Sequence, residues 1–245
     1  MRYDSAAQPS ARLLRHETAI SLCIHCHDGS RTGAPDVIAP IEYTPDPAGG
    51  AFPATWSTAS GTAHLLAGDP VTPPGGTQPM TVTCTSCHDP HAGPGFRNLK
   101  LDPGGTGASL PVIASQRMAS NGTNAAQVYA SGNPIYRSGM SAWCGACHTQ
   151  FHGRSTDAEG TASPWLRHPQ DTALSQARHV DYTYWLGPVE NRMRVQSPTD
   201  DDIPSADDQV FCLSCHRAHG STNRAALIFA DGSTRGSTCA QCHDK

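Results

Sequence analysis

Ten cysteines constrain this chain more than anything else in it, because all ten fall into five pairs of one pattern. Cys23/Cys26, Cys84/Cys87, Cys144/Cys147, Cys212/Cys215 and Cys239/Cys242 each enclose two residues, and a histidine follows each pair directly: His27, His88, His148, His216 and His243. C-x-x-C-H is the attachment signature of a c-type haem. The two thiols tether the porphyrin, and the next imidazole reaches the iron as its proximal ligand. A disulfide framework requires no histidine after each pair. A zinc ribbon joins two C-x-x-C units into one four-ligand site, so five units leave one over. The pattern predicts five haem c groups.

Composition then sets the fold class. Hydrophobic residues make up 37% of the 245 and aromatics 6%, against 23 glycines and 20 prolines. Glycine and proline interrupt regular elements. The expected fold is mostly irregular and loop-rich, with a few short helices and minimal strand. The chain would wrap a haem stack whose apolar faces replace an ordinary side-chain core. One pentahaem domain over residues 1–245 is expected, with an N-terminal arm over roughly residues 1–20.

The formal net charge is −4 with no basic stripe, which argues against a nucleic-acid partner. No apolar run approaches transmembrane length. Met1 to Leu22 contains no continuous apolar stretch of the kind a secretory signal needs. Covalent haem attachment takes place outside the cytoplasm, so export is nevertheless expected, with a leader removed or a start upstream of Met1.

Several segments carry local expectations. Residues 16–27 suit a short helical turn that brings Cys23 and Cys26 to one side. Residues 28–80 read as a long loop, and Gly104-Gly105-Thr106-Gly107 as a turn. Leu110 to Ile113 suggests a short strand. Trp143 is expected to pack on a haem edge with its indole N–H directed outward. Met140 is expected in the core, not on iron. Asp200, Asp201, Asp202, Asp207 and Asp208 have the spacing of a solvated loop, without the glycine-containing ligand pattern of a calcium site.

Thirteen histidines less the five proximal ones leave His16, His25, His64, His91, His152, His168, His179 and His219. Five irons need at most five further ligands, so histidine on both faces of every haem is the economical reading. His91 follows His88 too closely to reach the other face of the same porphyrin, which makes it available to a different haem. His219 stands at the same offset from His216. His25, inside its motif, reads as a spacer. No C-x-x-C-K variant of the kind found at open haems in multihaem reductases occurs, so an enzyme is not expected.

Segments CTSCHDPH (84–91), GMSAWCGACHTQFH (139–152), LRHP (166–169), CLSCHRAH (212–219) and CAQCHDK (239–245) resemble the extracellular cytochrome nanowire subunits of the six-haem OmcS type. The resemblance holds from about residue 60 to the C-terminus. It implies a homopolymeric filament with haems stacked through successive subunits, one subunit giving an axial histidine to its neighbour. It also implies redox partner proteins or extracellular acceptors, and an extracellular or cell-surface location. The chain has five motifs where the family has six, lacking the first, after which the family's donating histidine lies. His16 is then the favoured inter-subunit donor, with His25 and His91 as alternatives. By the same resemblance His64, His91, His168, His179 and His219 are distal ligands, and His152 a substitute. A soluble monomeric periplasmic or surface shuttle is the alternative function, and an oxidoreductase subunit with an open haem the third.

Overall fold

A computed structural model describes residues 16, 18–32, 34–38, 49–53, 61–91, 93–116, 134–151, 170–173, 195–199 and 207–229. Regular structure within them is brief, as the composition dictates. The helices are α1 (Ala19–Ile24), α2 (Cys84–Cys87), α3 (Met140–Gly145) and α4 (Cys212–Cys215). The strands are β1 (Ile113–Gln116), β2 (Pro134–Ser138), β3 (Thr172–Ala173) and β4 (Gln209–Val210), forming two antiparallel two-stranded sheets, β1–β2 and β3–β4. The expected strand at Leu110–Ile113 thus begins only at Ile113, because Pro111 has no N–H to give a ladder.

Each helix starts on a cap that its sequence supplies. Thr18 Oγ1 accepts the Ser21 N–H at 3.0 Å, and Ser21 Oγ accepts the Thr18 N–H in return, a reciprocal capping box that opens α1. Ser86 Oγ and Ser214 Oγ accept the N–H groups of Thr83 and Phe211, at 3.0 and 3.1 Å, before α2 and α4. Gly139 precedes α3 with φ +89, where a Cβ would collide with the Pro111 carbonyl.

Side chains build more core than composition suggested. Val112, Tyr136, Met140, Phe211 and Leu213 form one buried cluster, knit by the aromatic series Phe96–Tyr136–Phe211 with ring centres 5.5 and 5.3 Å apart. Ile20, Phe52 and Leu66 form a second beneath α1 and α2. Met140 is buried as expected. Trp143 packs against the first cluster and donates its indole N–H to the Lys100 carbonyl at 2.7 Å. Asp208 corrects its expectation, being 1% exposed and no part of a solvated loop. The turn at 104–107 forms as expected, with the Asp102 carboxylate accepting the N–H groups of Thr106 and Gly107.

Two loops repeat one another. In the first, His88 bridges Leu99, Asp89 donates to the Asn98 carbonyl, and Lys100 to that of Cys87. In the second, His216 bridges Leu227, Arg217 donates to Ala226, and Ile228 to Cys215. Each turns through a 3-10 segment, Phe96–Asn98 and Arg224–Ala226, holding two consecutive left-handed residues: Arg97 and Asn98 at φ 52 and 58, Ala225 and Ala226 at φ 55. Residues 83–100 and 211–228 are therefore one structural unit used twice.

Candidate haem sites

The four described motifs place their histidines by one device. An imidazole facing a carbonyl must donate to it, so each of the following contacts fixes the proton on Nδ1. His27 donates to Pro35 O at 2.9 Å, His88 to Arg97 O at 3.1 Å, His148 to Pro74 O at 2.9 Å and His216 to Ala225 O at 2.8 Å. A proton on Nδ1 leaves the Nε2 lone pair free for a metal and orients the ring toward it. His64 makes the same bond, to Ala218 O at 2.6 Å, although it belongs to no C-x-x-C-H motif.

Burial disfavours the charged form of four histidine rings. It is the first cause lowering the basicity of His64, His88, His216 and His219. The effect is greatest for His219, pushed down to about 4 by burial, then by the nearby His88, and only partly countered by the Gly50 backbone. His219 Nδ1 is buried with no hydrogen-bond partner, and its ring stacks on Phe52 at 4.8 Å. Neutral imidazole is the form that ligates iron.

The rings meet in twos. His64 and His148 have ring centres 6.1 Å apart, and His88 and His219 have theirs 6.2 Å apart. Two imidazoles trans across one metal, each nitrogen about 2.0 Å from it, place their ring centres about 6 Å apart. Among the described residues, His, Cys, Asp and Glu side chains nowhere gather in the threes or fours of an all-protein metal cage.

None of the eight described cysteines is in a disulfide. Burial raises Cys84 and Cys87 to about 11, with the neighbouring Cys23 also acting on Cys84. Cys144 is raised and Cys212 lowered, first by the hydrogen bond between them. These couplings trace a path: Cys23 touches Cys84, Cys87 feels Cys147, and Cys144 touches Cys212, so successive motifs are spatial neighbours. Helix α1 packs on α2 and α3 on α4 accordingly.

A family model described as a doubled CXXCH motif matches residues 204–245, which span the fourth and fifth motifs. The C-type cytochrome OmcS of Geobacter sulfurreducens is 25% identical over 85% of this chain and 70% of its own length. This chain resembles the multihaem c-type cytochrome OmcS. The outer membrane cytochrome S filament from the same organism shares the fold with a TM-score of 0.56, at 21% identity over 95% of this chain and 80% of that one. A second structure, of OmcS nanowires, gives a TM-score of 0.51 at 19% identity, over 95% and 84% of the two chains. The loop-rich fold with few short helices is that of the OmcS filament subunit.

Other expected residues of this OmcS-like cytochrome divide plainly. His91 is exposed, its backbone N–H held by the Asp89 carboxylate at 3.0 Å. His16 and His25 lie together, ring centres 4.8 Å apart, and His25 Nε2 accepts from the Arg31 guanidinium at 3.2 Å. His152, His168, His179, Cys239, Cys242 and His243 lie outside the described residues. Sequence reasoning missed the carbonyl acceptors at Pro35, Pro74, Arg97, Ala218 and Ala225. Backbone oxygens carry no residue-type signature. Only the shared interval from His88 to Leu99 and from His216 to Leu227 pointed to two of them.

Proposed function

We propose that this chain holds five covalent c-type haems, each between two histidines, and passes electrons along them as the subunit of an extracellular cytochrome filament. The observation that carries the reading is the pairing of rings at axial separation: His148 with His64, and His88 with His219. Three of those four rings also have Nδ1 tied to a carbonyl.

When bound, haem supplies an iron that alternates between ferric and ferrous states. The chain's own residues do the rest. Each of the four described thiol pairs, on a short helix or just after one, would hold a porphyrin through thioether bonds. Each Nδ1–H···O=C bond holds an imidazole at one angle, so ligand orientation costs nothing when the charge on iron changes. Paired histidines leave no iron coordination position for a substrate, which makes electron transfer the function and enzymatic turnover no part of it. The contacts between successive motifs support hopping in chain order. Cys239, Cys242 and His243 add the fifth site.

His91, His168 and His179 serve the remaining distal positions in this reading, with His152 as a substitute. One of these three positions is filled across the subunit boundary by His16 in place of a histidine of the same chain, which keeps the count at five distal ligands for five irons. Extracellular location, homopolymer formation and delivery to redox proteins or extracellular acceptors follow from likeness to OmcS filaments.

Three measurements on the purified holoprotein test the reading. Intact mass and haemochrome absorbance should count five haems. Electron paramagnetic resonance should show low-spin ferric signals alone. Negative-stain images at high concentration should show filaments, and globular particles only would replace the filament with the monomeric shuttle.

A further inference from the structure

Three of the four paired rings are aimed by a hydrogen bond, and one is not. His64, His88 and His148 each give Nδ1–H to a carbonyl, whereas His219 Nδ1 is buried with no partner. The outer torsion of a histidine has only a broad preference of its own, so the ring needs an external constraint. The repeated loop does not supply it: His91 stands at the same offset in the other copy and is exposed.

The constraint comes from residues 49–52. A Cβ on Gly49 would stand 3.2 Å from Nδ1, 3.3 Å from Cε1 and 3.8 Å from Cγ of His219, and those are its three nearest atoms. Phe52 stacks on the same ring, with centres 4.8 Å apart and planes 21° from parallel. Main-chain bonds hold these contacts in register. The His219 N–H donates to Gly49 O at 2.6 Å, Ala51 N–H to Gly220 O at 3.2 Å, and Phe52 N–H to Val37 O at 2.7 Å. Phe52 is anchored in turn, buried with Ile20 and Leu66. Gly49 is not among the left-handed glycines, so its backbone would accept an ordinary L-residue. What leaves no room for a side chain there is the imidazole.

We infer that residues 49–52 are the seat of His219. Gly49 and Phe52 set by contact the ring position that the other three paired rings owe to a carbonyl. They thereby fix axial geometry at the haem tethered by Cys84 and Cys87. Both are positioning residues, and the inference rests on the reading of His88 and His219 as an axial pair.

Carbon contacts settle near 3.5–4.0 Å, so a methyl group at position 49 must displace the ring by a few tenths of an ångström. Holoprotein carrying Gly49→Ala should keep every covalent haem, counted by intact mass. Its electron paramagnetic resonance spectrum should show one low-spin ferric signal shifted in g, with the others in place. Phe52→Leu, which removes the stacking face, should shift that same signal. Gly49→Leu should convert it to high spin, with one haem then binding cyanide. Gly107→Ala separates position from fold. Gly107 has φ +83 and nothing within 4 Å of its Cβ, so substitution strains the backbone and touches no ring. Whatever it costs in stability, it should leave every signal in place.

Gly49→Ala and Phe52→Leu spectra that overlay wild type, or that shift different signals, overturn the inference. A Gly107→Ala spectrum altered in the same signal does so too. His219→Ala, measured alongside, keeps the two readings apart. If it makes one haem high-spin while the seat variants overlay wild type, the seat fails and the axial pair stands. If it stays wholly low-spin, the axial pair fails and the seat falls with it.

Discussion

His88 and His219 face one another with ring centres 6.2 Å apart, though one stands in the second motif and the other follows the fourth. The histidine that follows one repeated loop's motif thus reaches the motif histidine of the other, and the two loops meet at that pair of rings.

Removing one ring of that pair should expose one iron. His219→Ala is expected to keep its full complement of covalent haem, since no cysteine is touched, while one haem becomes high-spin and binds cyanide. His64→Ala should do the same to a different haem. Electron paramagnetic resonance and cyanide titration read both outcomes, and a wholly low-spin spectrum from either variant refutes that pairing.

The repeated turn offers a stability test. Ala226 sits at φ 55, a conformation that costs an L-residue about 1–2 kcal/mol and glycine little. Ala226→Gly should stabilise the folded protein by about 1 kcal/mol, part of the gain being offset by the greater freedom of glycine in the unfolded chain. Thermal or chemical denaturation of the holoprotein measures it.

Gly139 should show the reverse. Its φ of +89 and the Pro111 carbonyl against its absent side chain leave no room for a methyl group. Gly139→Ala should cost more than about 2 kcal/mol, because backbone, not a flexible side chain, must give way. A denaturation midpoint equal to wild type would show that the approach of α3 to residue 111 is looser than it stands.

Acid should weaken the fold over a defined window. His64, His88, His216 and His219 are held below the ordinary histidine value by burial, His219 at about 4. Below about pH 6.5 the unfolded chain takes up protons that the folded chain refuses, so unfolding gains and stability falls. Stability should therefore rise with pH from about 4 to 6.5 and level off above. Melting temperatures across that range check the sign.

The C-x-x-C-H motifs were legible as local units: from Cys23 to His216 each described motif lies on a short helix or just after one. The helix at 19–24, the turn at Asp102 and the burial of Met140 were legible for similarly local reasons. The partnership of His64 with His148 was not, since it joins segments far apart in sequence and depends on the path of the loops. The bond from the Trp143 indole N–H to Lys100 O was not legible either, since its acceptor is a backbone oxygen 43 residues away. Asp208 was misjudged because an acidic run suggests water, and nothing in its spacing betrays that one member turns inward. Composition undersold the side-chain core. A few well-placed residues, Phe211 and Tyr136 among them, suffice to brace loops that haems are expected to fill.

All four described motif imidazoles are gripped by main-chain oxygens of Pro35, Pro74, Arg97 and Ala225, four positions with three different residue types. A grip of that kind survives almost any substitution that spares the path of the chain. Descendants can then exchange nearly every surface and loop residue, and drift to a quarter identity, while these imidazoles stay aimed as before. Charge can be rewritten around each centre without re-engineering its geometry, which leaves voltage free to evolve separately from architecture.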